Sequence, residues 1–298
     1  MEIGEKIKSL RTSKRMTQAE LAGDQITRNM LSLVENGSAL PSLPTIMYLS
    51  ERLGVPAGIF LAREDEEAIY RKMSDMPKIK SAFVAKEYRL CRDMCENLLG
   101  YENDDEILFI LAKCHFEIGR EEFNSGRLHN SCREFDLACT YCNDTIYDNG
   151  EIASAVSIYF EYMLRLSPTL TSDHAFERKP NEFYSFDDFG RYAKALIGVE
   201  SGDISAAKTY IEGVTSVEVG FVTHIKALLE MLNGDYVSAF NKLNALINSN
   251  DIDCRVIMYD VFRNFEDCCR EIGDYKSAYE YSVGKVELLE HMLTETNI

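Results

Sequence analysis

The sequence has no apolar run approaching the length of a membrane span. Its first residues, MEIGEKIKSLR, lack the apolar stretch of a secretion signal. These absences predict a cytoplasmic protein with no membrane partner. Histidine is scarce, standing only at 115, 129, 174, 224 and 291. No glycine-rich phosphate loop, zinc-protease helix signature or nucleophile elbow occurs. Acidic side chains are abundant but spread along helix-like segments, where charges are ordinarily just solvated. Catalysis needs a preorganised cluster, and none is visible. No catalytic residue, cofactor or metal is therefore expected, and the chain is not read as an enzyme. Strand-like alternation is also missing beyond residue 65, which points to an all-α fold.

With 298 residues, the chain can bury one large core or two smaller ones. Nine cysteines, at 91, 95, 114, 132, 139, 142, 254, 268 and 269, are an odd number in a chain that is not short. A disulfide framework is not expected from that pattern. Cys139 and Cys142 form a CxxC, and Cys91 and Cys95 lie one helical turn apart. Metal or redox chemistry is one reading. The other is reduced thiols packed as small apolar residues, and it is favoured because no second CxxC or histidine cluster stands at zinc-site spacing.

Charge is distributed unevenly. Residues 1–60 carry seven Lys/Arg and six Asp/Glu, net +1, so the remainder carries −18 of the total of −17. An acidic body does not lie along a phosphate backbone. Any nucleic-acid contact must come from the N-terminal part.

That part is organised around Thr17–Gly37. Thr17 and Glu20 have capping-box spacing, and Ala19, Leu21 and Ala22 give the apolar side of a short helix. Thr27 caps a second helix, in which Met30, Leu31 and Val34 recur at helical spacing, and Gly37 ends it. Two helices across a tight turn make a helix-turn-helix. Before them, residues 2–13 form a helix with Ile3, Ile7 and Leu10 buried and Lys6, Lys8, Lys14 and Arg15 exposed toward phosphates or solvent. After them, Pro44 opens a helix with Ile46, Leu49 and Leu53 on one face. Gly54 ends it, and Pro56 opens a last short helix through Ile59, Phe60 and Leu61.

The segments Ile3-Gly4-Glu5-Lys6-Ile7, Leu10-Arg11, Thr17–Ala22, Glu35-Asn36-Gly37, Pro41-Ser42 and Leu53-Gly54-Val55 stand in the order of the Cro/C1 (XRE-type) DNA-binding domains, and residues 1–62 resemble that family. The resemblance implies a five-helix domain that binds double-stranded DNA. By position it implies base readers at Arg28, Asn29, Ser32 and Leu33. Arginine can pair with guanine and asparagine with adenine, while Leu33 can touch a thymine methyl or read nothing. It implies phosphate contacts from Thr17, Thr27 and Asn36, and a backbone or base contact from Gln18. Thr17 and Thr27 serve as helix caps whether or not DNA is bound. Arg11 and Glu35 match an internal salt bridge of the family. Two departures stand out: the turn before the second helix is one residue short, with Asp24-Gln25 where a glycine is common, and 38–42 lacks Lys/Arg. A half-site domain of net charge +1 binds weakly alone, so a homodimer is expected.

Residues 65–298 read as a second domain, joined through the acidic stretch Ala62–Glu67. Ala195…Gly202-Asp203-Ile204…Ala207…Ile211 recurs 32 residues later as Ala227…Gly234-Asp235-Tyr236…Ala239…Leu243. Gly273-Asp274-Tyr275…Ala278 follows 39 residues after that. Glycine ends one helix, aspartate caps the next, and alanine lets the pair approach closely. The pattern resembles the tetratricopeptide repeat (TPR), whose helix pairs stack into a superhelix. Weaker pairs precede it at 65–80 with 82–99 and 104–124 with 127–143. Helix 151–166 follows, and 167–181 reads as a long loop. The two-part layout resembles the peptide-responsive regulators of Gram-positive bacteria (the RRNPP group), which implies a regulatory peptide bound by the TPR-like body. By repeat position the inner wall would include Phe189, Tyr192, Phe221, His224, Arg263 and Asn264, unless these aromatics simply form repeat core. A body that captures a partner protein, with weak or vestigial DNA binding, is the alternative.

Overall fold

A computed structural model of the chain describes residues 2–63, 66–98, 104–147, 150–170, 187–212, 219–249 and 254–294. The regular elements among them are all helices. The chain divides into two compact units, Met1–Asn103 and Asp104–Ile298. The division proposed from sequence, between 62 and 65, differs by one helix pair, which groups here with the first unit. Residues 64 and 65, within that proposed link, lie outside the described residues, as do 171–181 of the proposed loop.

The first unit opens with α1 (Ile3–Ser13), α2 (Gln18–Ala22), α3 (Arg28–Glu35), α4 (Leu43–Leu53) and α5 (Gly58–Leu61). Their ends follow from local chemistry. Thr17, Thr27 and Ser42 each accept a backbone N–H of the first turn they precede. Gly54 closes α4 in the left-handed conformation. Ile7, Leu21, Leu31, Leu49 and Leu53 are fully buried in one core with Val34 and Phe60. Between α2 and α3 the turn takes φ +55° at Gly23, where a Cβ would stand 2.3 Å from the Tyr48 hydroxyl. The glycine that this turn requires is thus at 23, just before the Asp24-Gln25 pair. The unit continues with α6 (Glu67–Val84) and α7 (Tyr88–Glu96), which enclose Ile79, Cys91 and Cys95.

Three details differ from the sequence reading. Ala19 and Met30 are exposed, because α2 and α3 are so short that Leu21, Ala22, Leu31 and Val34 already fill the core side. Lys6 is buried, where helical periodicity places it in solvent. Its Nζ donates to the carbonyl oxygens of Ile59 at 3.1 Å and Ala62 at 2.6 Å. The end of α5 thus has its orphan carbonyls satisfied by a side chain 53 residues away.

The second unit begins with α8 (Asp105–Asn124), α9 (Leu128–Asp144) and α10 (Gly150–Leu166). Three repeat pairs follow: α11 (Asp188–Ser201) with α12 (Ile204–Glu212), α13 (Val219–Leu232) with α14 (Tyr236–Ser249), and α15 (Arg255–Glu271) with α16 (Tyr275–Thr294). Gly202, Gly234 and Gly273 all adopt φ near +80° at the turns within these pairs. Asp203, Asp235 and Asp274 each accept the backbone N–H three residues on. Ala195, Ala207, Ala227, Ala239 and Ala278 are buried between paired helices. The repeat motif is therefore a helix–Gly–Asp–helix hairpin, built as its sequence prescribes. All nine cysteines are buried, and no disulfide joins them.

Candidate functional site

The N-terminal half of α3 displays Arg28 and Asn29 to solvent, with Leu33 half exposed one turn on. Ser32 and the cap residue Asn36 continue the same side, opposite the buried Leu31 and Val34. Thr27 is the N-cap; its hydroxyl accepts from the Met30 N–H at 3.1 Å. Thr17 holds the corresponding place on α2, accepting from Glu20 N–H while its own N–H donates to the Glu20 carboxylate. That bond to the Thr17 backbone keeps the Glu20 carboxyl below its ordinary range. Both threonines are exposed and already employed as caps.

A clamp behind this face fixes α3 to α1 and α2. Arg11 donates from Nε to Glu35 at 2.6 Å and from Nη2 at 3.0 Å, and from Nη1 to the Met16 carbonyl at 2.8 Å. Gln18 Nε2 donates to the same carboxylate at 2.8 Å. The Glu35 side chain is inaccessible to solvent. Burial alone would push its carboxyl upward, but the bonds from Arg11 and Gln18 outweigh that and hold it low. The Glu35 bond in turn raises the Arg11 guanidinium. The salt bridge expected from sequence is present. Gln18, proposed as a DNA contact, spends its side-chain amide inside the clamp.

In the second unit, the residues proposed as an inner wall come together, but as core. Tyr192, Phe221, His224 and Asn264 are buried, as is Phe189. The Tyr192 and Phe221 rings lie 5.0 Å apart. The Asn264 amide nitrogen lies 2.9 Å from His224 Nε2, and the Tyr192 hydroxyl 2.9 Å from its Nδ1. Burial drives the His224 imidazole down to about 4, against the opposing pull of Asp260. Arg263 alone of the set reaches solvent, and it pairs with Asp260 at 3.0 Å. Two members had no place in the sequence reading. Asp260 is buried and accepts from the Tyr162 hydroxyl, which comes from α10, 98 residues away. Asp260 shares a helix face with Arg263 and Asn264, so spacing offered a signal for it. Tyr162 lies outside the repeat register and offered none. The expected open wall is closed because α15 reaches across to α10 and the polar groups find one another there.

Comparison with known proteins bears on the first unit. Residues 7–60 match the family model described as Helix-turn-helix (HTH_3). This segment is a helix-turn-helix domain. A search of curated proteins finds no sequence match. Among solved structures, the chain aligns over 99% of its length with 99% of Bacillus thuringiensis PlcR in complex with the peptide PapR7 and DNA, at 17% identity and a TM-score of 0.29. It aligns over 96% with 99% of ComR from S. thermophilus in complex with DNA and its signalling peptide ComS, at 15% identity and 0.25. The Streptococcus dysgalactiae SHP pheromone receptor Rgg2 matches over 96% of this chain and 99% of its own, at 13% identity and 0.20. Likeness at this level transfers no residue role.

Proposed function

We propose that this chain is a sequence-specific DNA-binding transcription regulator. It acts as a homodimer, and its TPR-like body, 65–298, binds a regulatory peptide. The observation that carries this reading is the row of exposed Arg28, Asn29 and Leu33 with the half-buried Ser32, on a helix clamped from behind by Arg11, Gln18 and Glu35. A recognition helix needs free polar side chains at its N-terminal end and a rigid support, and α3 has both. Arg28 offers a bidentate donor to guanine and Asn29 a donor–acceptor pair to adenine. Leu33 supplies apolar contact for a thymine methyl. The near-neutral helix-turn-helix region supplies little non-specific attraction, so two half-sites are engaged together. The peptide-binding half of the reading rests on the stacking of helix pairs, an architecture that can receive extended chains, at residues other than the buried inner-wall set. PlcR and ComR were solved with peptide and DNA, and this pair of ligands is proposed here.

The test is a gel shift of the full-length chain on DNA selected from a random pool, at two salt concentrations. A discrete band that weakens steeply with salt and disappears with Arg28→Ala, at unchanged helicity, is expected. Undiminished binding by Arg28→Ala would refute the assignment of α3 and favour a body that captures a partner protein. Saturation of one half-site by a monomer would refute the dimer. A short-peptide library screened against the full chain tests the body, with a binder that alters DNA affinity as the expected result and no binder as the refuting one.

A further inference from the structure

The residues first read as an inner wall are core, so a ligand of the repeat body needs another opening. One stands at the edge of the stack, where the first helices of the three repeat pairs end. A cavity of about 510 Å³ opens there over the C-terminal ends of α11, α13 and α15. That volume lies within the range of about 300–1,000 Å³ usual for small-ligand sites and is far too small for a folded partner. Its occupant is a small molecule or one end of a chain.

Two chemistries meet in the cavity. Leu228, Met231 and Leu232 of α13 line it together with Val199 and Tyr236, and Leu232 is 51% exposed. Glu200, Asp267 and Glu271 bring three carboxylates, and Arg270 lines it as well. Arg270 does not neutralise them. It pairs with the buried Glu266, which also takes Lys285 at 2.7 Å. Glu200 is held by Arg165, with Arg263 at 3.7 Å. Asp267 and Glu271 lie one helical turn apart, both exposed, with no basic partner among the described residues. Three helices that end at one edge add their negative poles to the same field. The cavity therefore favours a cation, and its apolar lining favours a cation that carries a hydrocarbon body.

We propose that this cavity receives the amino terminus of the regulatory peptide. The α-ammonium pairs with Asp267 and Glu271, and the aliphatic or aromatic side chain of the first residue lies on Leu228, Met231 and Leu232. An amino-terminal residue bears both groups on one Cα. A lysine inside a chain instead carries a strongly hydrated charge at the tip of a flexible stem, with no second apolar group beside it. The proposal rests on the peptide reading above, and it names where the peptide is held and by which end.

Titration of the full-length chain with fluorescent tetrapeptide-amide pools, each with its first residue fixed and the label at the carboxyl end, tests it by anisotropy. Pools with an apolar first residue are expected to bind tightest. Acetylating those pools should weaken them at least ~10-fold, since the charge is lost while the side chain stays. Asp267→Asn with Glu271→Gln should cause a loss of the same size. Both positions are exposed and the amides are close in shape, so helicity and thermal midpoint should not move. Leu232→Ser should reduce the preference for an apolar first residue while the preference for a free amino terminus persists. Equal binding of free and acetylated pools, or unaltered binding by the double amide variant, overturns this site and leaves the peptide reading standing. Binding of no pool overturns the proposal together with the peptide reading. Phenethylamine that binds as tightly as the best pool overturns the peptide terminus as occupant and assigns the cavity to a small amine.

Discussion

The clamp behind α3 yields a prediction with a definite size. Glu35→Ala removes the acceptor of two Arg11 donors and one Gln18 donor, on a side chain with no solvent access. Removing one partner of a buried ion pair costs about 3–5 kcal/mol, because the other charge is stranded. Arg11 keeps its bond to the Met16 carbonyl and its side chain retains 11% exposure, which places the cost at the low end, about 3 kcal/mol. Gln18 can turn to water and adds about 1 kcal/mol at most. Against a typical domain stability of about 5–15 kcal/mol this is a large share. Hydrogen exchange followed by mass spectrometry on the full chain reads it locally. Peptides from 3–35 should lose protection by that amount, while peptides from 188–294 should not change. Arg11→Met with Glu35→Leu should lie much closer to the unaltered chain than either single change, since neither charge is left behind. The clamp also has a pH signature. Glu35 is held low, so its contribution is present above the ordinary carboxylate range and is lost as pH falls through its depressed folded value. A cost below about 1 kcal/mol for Glu35→Ala, or a double variant equal to the sum of the singles, would refute the reasoning.

Two further predictions concern buried polar groups. Lys6→Met removes two hydrogen bonds to carbonyls at the end of α5 and should destabilise the first unit by about 2–4 kcal/mol, read as faster exchange in 58–62; unchanged protection there would refute the capping role. His224 is held neutral, with a folded value of about 4 against 6.5 when unfolded. Below 6.5 the unfolded chain binds the extra proton, so stability is complete above that pH and falls until about 4, by roughly 2 kcal/mol between pH 7 and 5. Urea melts of the unaltered chain and His224→Gln across that window should show the slope flattened in the variant, and identical slopes would refute it.

The sequence by itself determined most of what neighbours along the chain carry, though not the positive φ of Gly23. The capping box of Thr17 and Glu20, the cap at Thr27, the left-handed Gly54 and the three Gly-Asp turns are contacts within four residues. Such interactions depend on residue type and spacing, which is what a sequence states directly. The Arg11–Glu35 bond was legible for a different reason, by resemblance to a family that shares it.

Only the tertiary structure decided which polar groups are inside. Periodicity put Lys6 in solvent, but the end of α5 lies over it and needs a donor. The repeat register places the residues proposed as an inner wall on successive first helices. Their burial was set by α15 approaching α10, a contact between Asp260 and Tyr162 across 98 residues. Spacing along a helix fixes which residues share a face. Whether that face meets core or solvent depends on elements distant in sequence.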